Sequence, residues 1–187
     1  MELAPEMFKR FFPLPVTVIT TVDLQGTPNA APYSCVMPIL RPLPLIVLAS
    51  ALPRDTLRNI RSSREFVVNV MGKPGFQAAM KCAKDYPAGV NELAEEGVAT
   101  IPAKKVAPPR IKDAVGWIEA RLENEMTGDK YALIVGHVVC SEVNDSYLDG
   151  EKLTELPMTL IMPHFRTSGD IYMRRDEIGV ETPKFEQ

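Results

Sequence analysis

The densest run of chemically useful residues lies between Ser50 and Arg61, where an apolar stretch gives way to Pro53-Arg54-Asp55-Thr56-Leu57-Arg58-Asn59-Ile60-Arg61. Asp55 is a good helix N-cap residue, and Leu57 and Ile60 fall on one helical face, so a short helix is predicted here. The first amides of a helix have no partner inside it, and its dipole leaves partial positive charge at that end. Arg54, the Thr56 hydroxyl and Arg58 can gather there, a set that suits a phosphate monoester. The Asp55 carboxylate opposes an anion unless capping occupies it. The competing reading is an ordinary capped surface helix with solvated arginines.

A second stretch, Asn29-Ala30-Ala31-Pro32-Tyr33-Ser34-Cys35, is small and polar where a half-buried strand is expected. Small side chains let a flat ligand approach the backbone, while Asn29 and Ser34 supply donors and acceptors for ring edges. Read without a ligand, it is an edge strand with a bulge. Acid–base candidates are few. His137 falls in a strand pattern and reads as a core or interface histidine, whereas His164 falls in a loop-like segment and is the better functional candidate. No GxSxG elbow, GxGxxG turn, P-loop or metal-ligand spacing occurs, so no catalytic triad, dinucleotide fold or metal site is predicted.

The elements that must position these residues are mostly strands. Val16 to Thr21 is a β-branched strand followed by a turn at Asp23–Thr27, and Asn29 to Met37 is its expected hairpin partner. Leu43 to Ser50 and Glu65 to Met71 are further strands. Trp117 to Met126 alternates as a half-buried strand, with Glu119 expected on its polar face, and Gly128-Asp129 turns it into Tyr131 to Val143. Short helices are expected near Pro74 and at Glu92 to Glu96, with Ala99 to Pro109 as a loop and Gly179 to Gln187 as a loose tail. Eight of the 17 prolines lie between Pro13 and Pro53, a distribution that fits short strands cut by turns and bulges. Hairpins this close leave no room for the crossover helices of a parallel sheet.

The 187 residues, with net charge −3 and 45% hydrophobic content, fit one soluble domain spanning 1–187. Mild acidity argues against non-specific nucleic-acid binding, and the apolar run Leu43 to Leu52 is too short for a membrane helix. The opening residues lack a secretory-signal layout. Cys35, Cys82 and Cys140 form no pair motif, and a reducing cytoplasm is expected.

In order, Pro15-Val-Thr-Val-Ile-Thr-Thr-x-Asp23, Gly26-x-x-Asn29-Ala30, Pro44-Leu-Ile-Val, Arg54-x-Thr56-x-x-Asn59-Ile60 and Glu65-Phe-Val-Val-Asn69-Val resemble the flavin reductase-like family of FMN-binding split barrels, flavoredoxin-type members in particular. Asn91-Glu92 with Gly97, Pro108-Pro109-Arg110-Ile111, Ile118-Glu119 and Gly128-Asp129 before Val135-Gly136-His137-Val138 extend the match over about residues 8 to 172. The resemblance implies an all-β fold with short flanking helices, a six-stranded antiparallel Greek-key split barrel. It implies a homodimer with FMN at or near the subunit interface. Arg54, Thr56 and Asn59 would hold or support the phosphate. Asn29, Ala31, Tyr33, Ser34, Cys35, Ser50 and Ala51 would line the ring and ribityl chain, with His164 and Tyr172 completing the pocket. The implied activity is hydride uptake from NADH or NADPH and electron delivery to free flavin, a ferric complex or a redox protein, with no protein acid or base required. Two departures matter. Pro32 stands where many members carry Thr, and Lys130 stands where they carry His beside the nicotinamide or flavin. The second departure keeps open an electron carrier without nicotinamide activity. Pro32 and Asp55 keep open a barrel that binds haem, another phosphorylated ligand or nothing.

Overall fold

The computed structural model describes residues 2–84, 86–87, 89–161 and 164–167. Seven strands form its main sheet: β1 (Thr17–Val22), β2 (Pro28–Tyr33), β3 (Val36–Pro38), β4 (Leu45–Ala51), β5 (Glu65–Met71), β6 (Ala114–Thr127) and β7 (Tyr131–Val143). All neighbours pair antiparallel, in the order β2-β1-β5-β6-β7-β4-β3. Among the described residues three α-helices accompany it, α1 (Asp55–Ser63), α2 (Phe76–Lys81) and α3 (Glu92–Glu95).

The expected single strand from Asn29 to Met37 is two strands on opposite edges of the sheet. β2 pairs with β1, whereas β3 pairs with β4. Only Ser34 and Cys35 separate them, so the Cα atoms of Tyr33 and Val36 lie at most ~11 Å apart. One edge of the sheet is thereby brought round to the other, and the sheet curls into a half-barrel with a split between β2 and β4. This division also makes the strand count seven rather than six.

The curl gives the sheet two buried faces, which is why Thr17–Val22 is buried at every position. Ile19, Leu48, Leu57, Ile60, Phe66, Val68 and Ile134 form the inner core, closed by α1. Val18, Val67, Met71, Ala79, Leu93, Ile111 and Trp117 form the outer core under α2 and α3. Gly136 admits the Phe66 ring: a Cβ there would lie 2.5 Å from Phe66 Cζ. Inside β5, Asn69 bridges three segments. Its amide donates to Val18 O (2.9 Å) and Thr20 Oγ1 (3.1 Å), and its oxygen accepts from the Ile111 N–H (2.7 Å).

Several sequence expectations are corrected. Glu119 is fully buried rather than solvent-facing. Its carboxylate accepts the backbone N–H groups of Lys104 (2.8 Å) and Lys105 (2.7 Å) and pairs with Arg110, itself 3% exposed and lying 5.0 Å from the Trp117 ring centre. The segment expected as a loop over 99–109 is thus pinned, and its Thr100–Ile101 pairs with Arg110–Ile111. His137 is not a core residue: it is exposed and lies 3.2 Å from Glu123 Oε2. Arg54, not Asp55, is the N-cap residue of α1, and it makes no side-chain cap bond; Asp55 instead pairs with Arg58 at 2.8 Å. His164 lies in a strand, His164–Thr167, paired with Met158–Ile161. The tail from Gly179 lies outside the described residues.

Removing one member of a buried ion pair leaves the other charge uncompensated. Glu119→Ala is expected to destabilise the fold by about 3–5 kcal/mol, read as a lowered urea midpoint at unchanged m-value.

Candidate functional site

The split is where backbone and polar groups are left over. Pairing of β3 with β4 stops at Leu48, and the last ordered contact on that side is Ala49 N–H to Cys35 O at 2.9 Å. The following residues of β4 and the outer edge of β2 therefore face one another. Tyr33 OH lies 3.0 Å from Ser50 Oγ, which ties the two strands at the bottom of the gap. Above it lies a cleft of ≈ 420 Å³ lined by residues of β2, the β4–α1 connection and the segment after α2.

The edge of β2 is blunted in a regular way. Ala30 sits opposite Thr20 and directs its N–H away from β1, to the Glu92 carboxylate at 3.1 Å. Antiparallel pairs alternate, so Pro28 and Pro32 occupy the other outward positions, where proline has no N–H to leave unpaired. This edge consequently offers a ligand carbonyl acceptors and no free amide donors.

Behind the cleft runs a buried polar network. Asn29 donates from Nδ2 to Glu92 Oε1 (2.5 Å), and its Oδ1 accepts from Thr56 Oγ1 and Thr21 Oγ1, each at 3.3 Å. Asn59 Nδ2 donates to Thr21 Oγ1 at 3.2 Å. The network ties α1, α3 and β2 together, and it accounts for the polar residues on the buried face of α1. Burial pushes the Glu92 carboxyl above its ordinary pKa, and the nearby Asp55 charge acts in the same direction; the bonds from Ala30 and Asn29 oppose both. Burial, then Glu92 and Glu96, push the Cys82 thiol up to about 11, so it is not a thiolate at neutral pH. At the rim, Lys84 Nζ and Tyr86 OH both donate to Glu96, whose carboxyl is held below its ordinary value by those two bonds, Lys84 first.

Of the residues singled out in the sequence, Asn29, Ala31, Tyr33, Ala51, Arg54 and Thr56 line the cleft, along with Pro32. Ser50 is buried beneath it, bonded to Tyr33, and Asn59 supports it from behind. Ser34 and the exposed Cys35 lie on the passage to β3 and do not line it, nor does His164. Tyr172 lies outside the described residues. Arg58 faces the other side of α1 and is held by Asp55. Among the described residues Arg54 makes no ion pair or side-chain hydrogen bond. Sequence reasoning missed Cys82, Lys84, Tyr86 and Glu92 as cleft residues. The available signal was Asn91-Glu92 itself, an acid at the first turn of a helix too short to be stable alone.

The raised Glu92 value carries a sign. A carboxyl whose folded pKa exceeds its unfolded one costs nothing below the unfolded value, about 4.3, costs progressively more as pH rises to the folded value, and costs a constant amount above it. Wild type is therefore expected to lose stability relative to Glu92→Gln as pH is raised above about 4, levelling off once Glu92 is ionised. Urea midpoints of the two proteins across a pH series test this; the slope of their difference, not its offset, is the readout.

A model of the family described as "Flavin reductase like domain" matches residues 8–167. A protein of Methanothermobacter thermautotrophicus is 44% identical over 152 residues, covering 78% of this chain and 72% of its own. Among solved structures, the flavoredoxin of Desulfovibrio vulgaris superposes with TM-score 0.78 at 16% identity, covering 94% of this chain and 98% of that one. An NADH:FAD oxidoreductase of Streptomyces globisporus superposes with TM-score 0.75 at 19% identity, covering 90% and 98%. These likenesses establish the split-barrel fold, and the family match, spanning most of the sequence, identifies the chain as a member of the flavin reductase-like domain family.

Proposed function

We propose that the protein is an FMN-dependent oxidoreductase that takes hydride from NADH or NADPH and passes electrons to free flavin, a ferric complex or another redox protein. The observation that carries this reading is the cleft itself. An uncommitted guanidinium, Arg54, stands at the start of α1 beside a strand whose side chains at 30 and 31 are only methyl groups. An anionic tail and a flat ring attached to it account for both features with one ligand. The cleft's volume falls within the range of about 300–1,000 Å³ usual for small-molecule sites.

The residues present fit FMN. Arg54 supplies a charge-assisted contact to the phosphate, and Thr56 holds the helix start against Asn29. The outward carbonyls of β2 accept from a ring N–H, and Ala31 and Ala51 leave space for the ring plane. Tyr33 and Ser50 fix the floor. When bound, FMN supplies the hydride and electron chemistry, and the protein supplies binding, orientation and electrostatics. Asp55 is neutralised by Arg58, so it opposes the phosphate less than its formal charge suggests.

Lys130 favours a second reading. It is exposed in the β6–β7 turn, and its carbonyl accepts from Leu52 N–H at 3.1 Å, which sets this turn against the β4–α1 connection. With lysine rather than histidine at that position, the protein would carry electrons between protein partners without using nicotinamide. We also propose a single split-barrel unit over the whole chain, working as a homodimer. Exposed Met37, Ile39, Leu40 and Leu43 around β3, and Phe8, Phe11 and Phe12 near the start, support a covered surface. The free cysteines suit a reducing compartment such as the cytoplasm. Among the described residues no helix is long and apolar enough to cross a membrane.

The deciding experiment is an absorption spectrum before and after loading with FMN and desalting, followed by anaerobic mixing with NADH and NADPH. Flavin bleaching by either nucleotide is expected; a flavin that stays oxidised with both favours the carrier, and a protein that retains no flavin defeats both readings. Arg54→Ala is expected to weaken FMN binding by about 1–3 kcal/mol in a fluorescence titration, the scale of a hydrogen bond to a charged group.

A further inference from the structure

The β2 wall of the cleft has an uneven supply of hydrogen-bonding groups. The register of β2 against β1 is unbroken from Val22 opposite Pro28 to Thr17 opposite Tyr33, so residues 28, 30 and 32 turn their backbone groups away from β1. Their carbonyls point outward as acceptors. The matching donors are missing or taken. Positions 28 and 32 are proline, and the Ala30 N–H is held by Glu92 Oε2 at 3.1 Å. Side-chain donors around the cleft are committed within the protein as well. Thr56 Oγ1 donates to Asn29, Asn29 Nδ2 to Glu92, and Lys84 Nζ and Tyr86 OH to Glu96. Among the described residues, uncommitted donors belong to the β4–α1 wall. They are Arg54 and the first amides of α1, where no side-chain cap bond forms and the first internal bond is Arg58 N–H to Arg54 O.

We propose that Pro32 makes the β2 edge selective for the redox state of the flavin, so that the protein binds reduced FMN more tightly than oxidised FMN. This rests on the flavin reading of the cleft. Reduction of the ring by two electrons and two protons converts nitrogens N1 and N5 from acceptors into N–H donors, while N3 donates in both states. Against an edge of carbonyls an added N–H gains an acceptor, whereas the lone pair of the oxidised ring meets another lone pair. The Glu92 carboxylate beside Ala30 adds to the negative potential of this edge and favours a donor in the same sense. Pro32 is the deciding position, because any other residue there would present an outward N–H inside the cleft. Pro28 has the same orientation but does not line the cleft. By thermodynamic cycle, tighter binding of the reduced form raises the potential of bound FMN above that of free FMN by the same ratio.

Anaerobic calorimetric titrations of the full chain with oxidised and with dithionite-reduced FMN test the proposal. Reduced FMN is expected to bind ~3- to 10-fold more tightly, the increment of one added hydrogen bond. Equilibration of the FMN-loaded protein with a reference dye reads the same ratio independently, a tenfold preference being about 30 mV for a two-electron couple. Pro32→Ala restores an outward N–H and is expected to tighten oxidised FMN and remove the preference. Pro28→Ala adds an N–H to the same edge outside the cleft and is expected to keep the preference, which separates recognition from a general change in the strand. Equal affinities for the two forms in wild type, or tighter binding of the oxidised form, would overturn the proposal even if neither variant folds. A preference that survives in a folded Pro32→Ala protein would overturn the assignment to this position. Binding of neither form defeats the flavin reading, and this inference with it; binding without preference defeats this inference alone.

Discussion

One stretch of chain serves both edges of the sheet, and most of the architecture follows from that constraint. β2 and β3 are separated by two residues yet occupy opposite ends of a seven-strand order. A flat sheet of this width cannot satisfy such a connection, because neighbouring strands lie nearly 5 Å apart. The sheet must curl, and curling gives it a concave and a convex face that both need covering. The concave face is filled by its own side chains and α1; the convex face is covered by α2, α3 and the pinned 99–111 segment. The same constraint leaves the split unpaired beyond Leu48, so the cleft is the residue of incomplete barrel closure rather than an added feature.

An unclosed edge is a hazard unless its backbone groups are handled. Here Pro28 and Pro32 remove two outward donors and Glu92 accepts the third. Recruiting a carboxylate for this task has consequences. Glu92 must be brought in by α3, a helix of four residues too short to be stable alone and held by its Asn91 cap and its tertiary contacts. It is buried, so it needs Asn29, and Asn29 then orients Thr56 at the beginning of α1. A local solution to one unpaired amide thus couples the edge strand to the helix start that bears Arg54.

The strands were legible in the sequence wherever a single local rule governed them. Glu65–Met71 and Tyr131–Val143 have the predicted bounds, since β-branched runs bordered by turn residues allow little else. Misreadings arose where a distant partner overrides the local pattern. The alternation in β6 puts Glu119 on a polar face with Arg121 and Glu123, which are exposed, but the 104–110 segment covers Glu119 alone, and Arg110 is what makes the burial tolerable. Nothing local marks Ser34–Cys35 as a crossing between edges, because the decision lies in how β4 pairs. The cleft was legible on two of its walls, Asn29–Tyr33 and Ala51–Thr56. Its third wall, Cys82, Lys84, Tyr86 and Glu92, carries no signal beyond Asn91-Glu92, and Glu92 is placed by long-range bonds to β2.

Among the described residues the ionisable groups around the cleft are almost all spoken for, and this limits the chemistry they can perform by themselves. Asp55 is paired with Arg58, Lys84 and Tyr86 converge on Glu96, Cys82 is held as a thiol, and Glu92 is occupied by the β2 edge. General acid–base catalysis needs a group poised near the working pH and within reach of the reacting atom. No such histidine lines this cleft, since His137 and His164 both lie elsewhere. Among the described residues, what remains is the free cation Arg54, a set of backbone acceptors and space beside small side chains. Such a set binds and orients an anionic, planar ligand well, and it leaves the reaction to the ligand's own electronic structure.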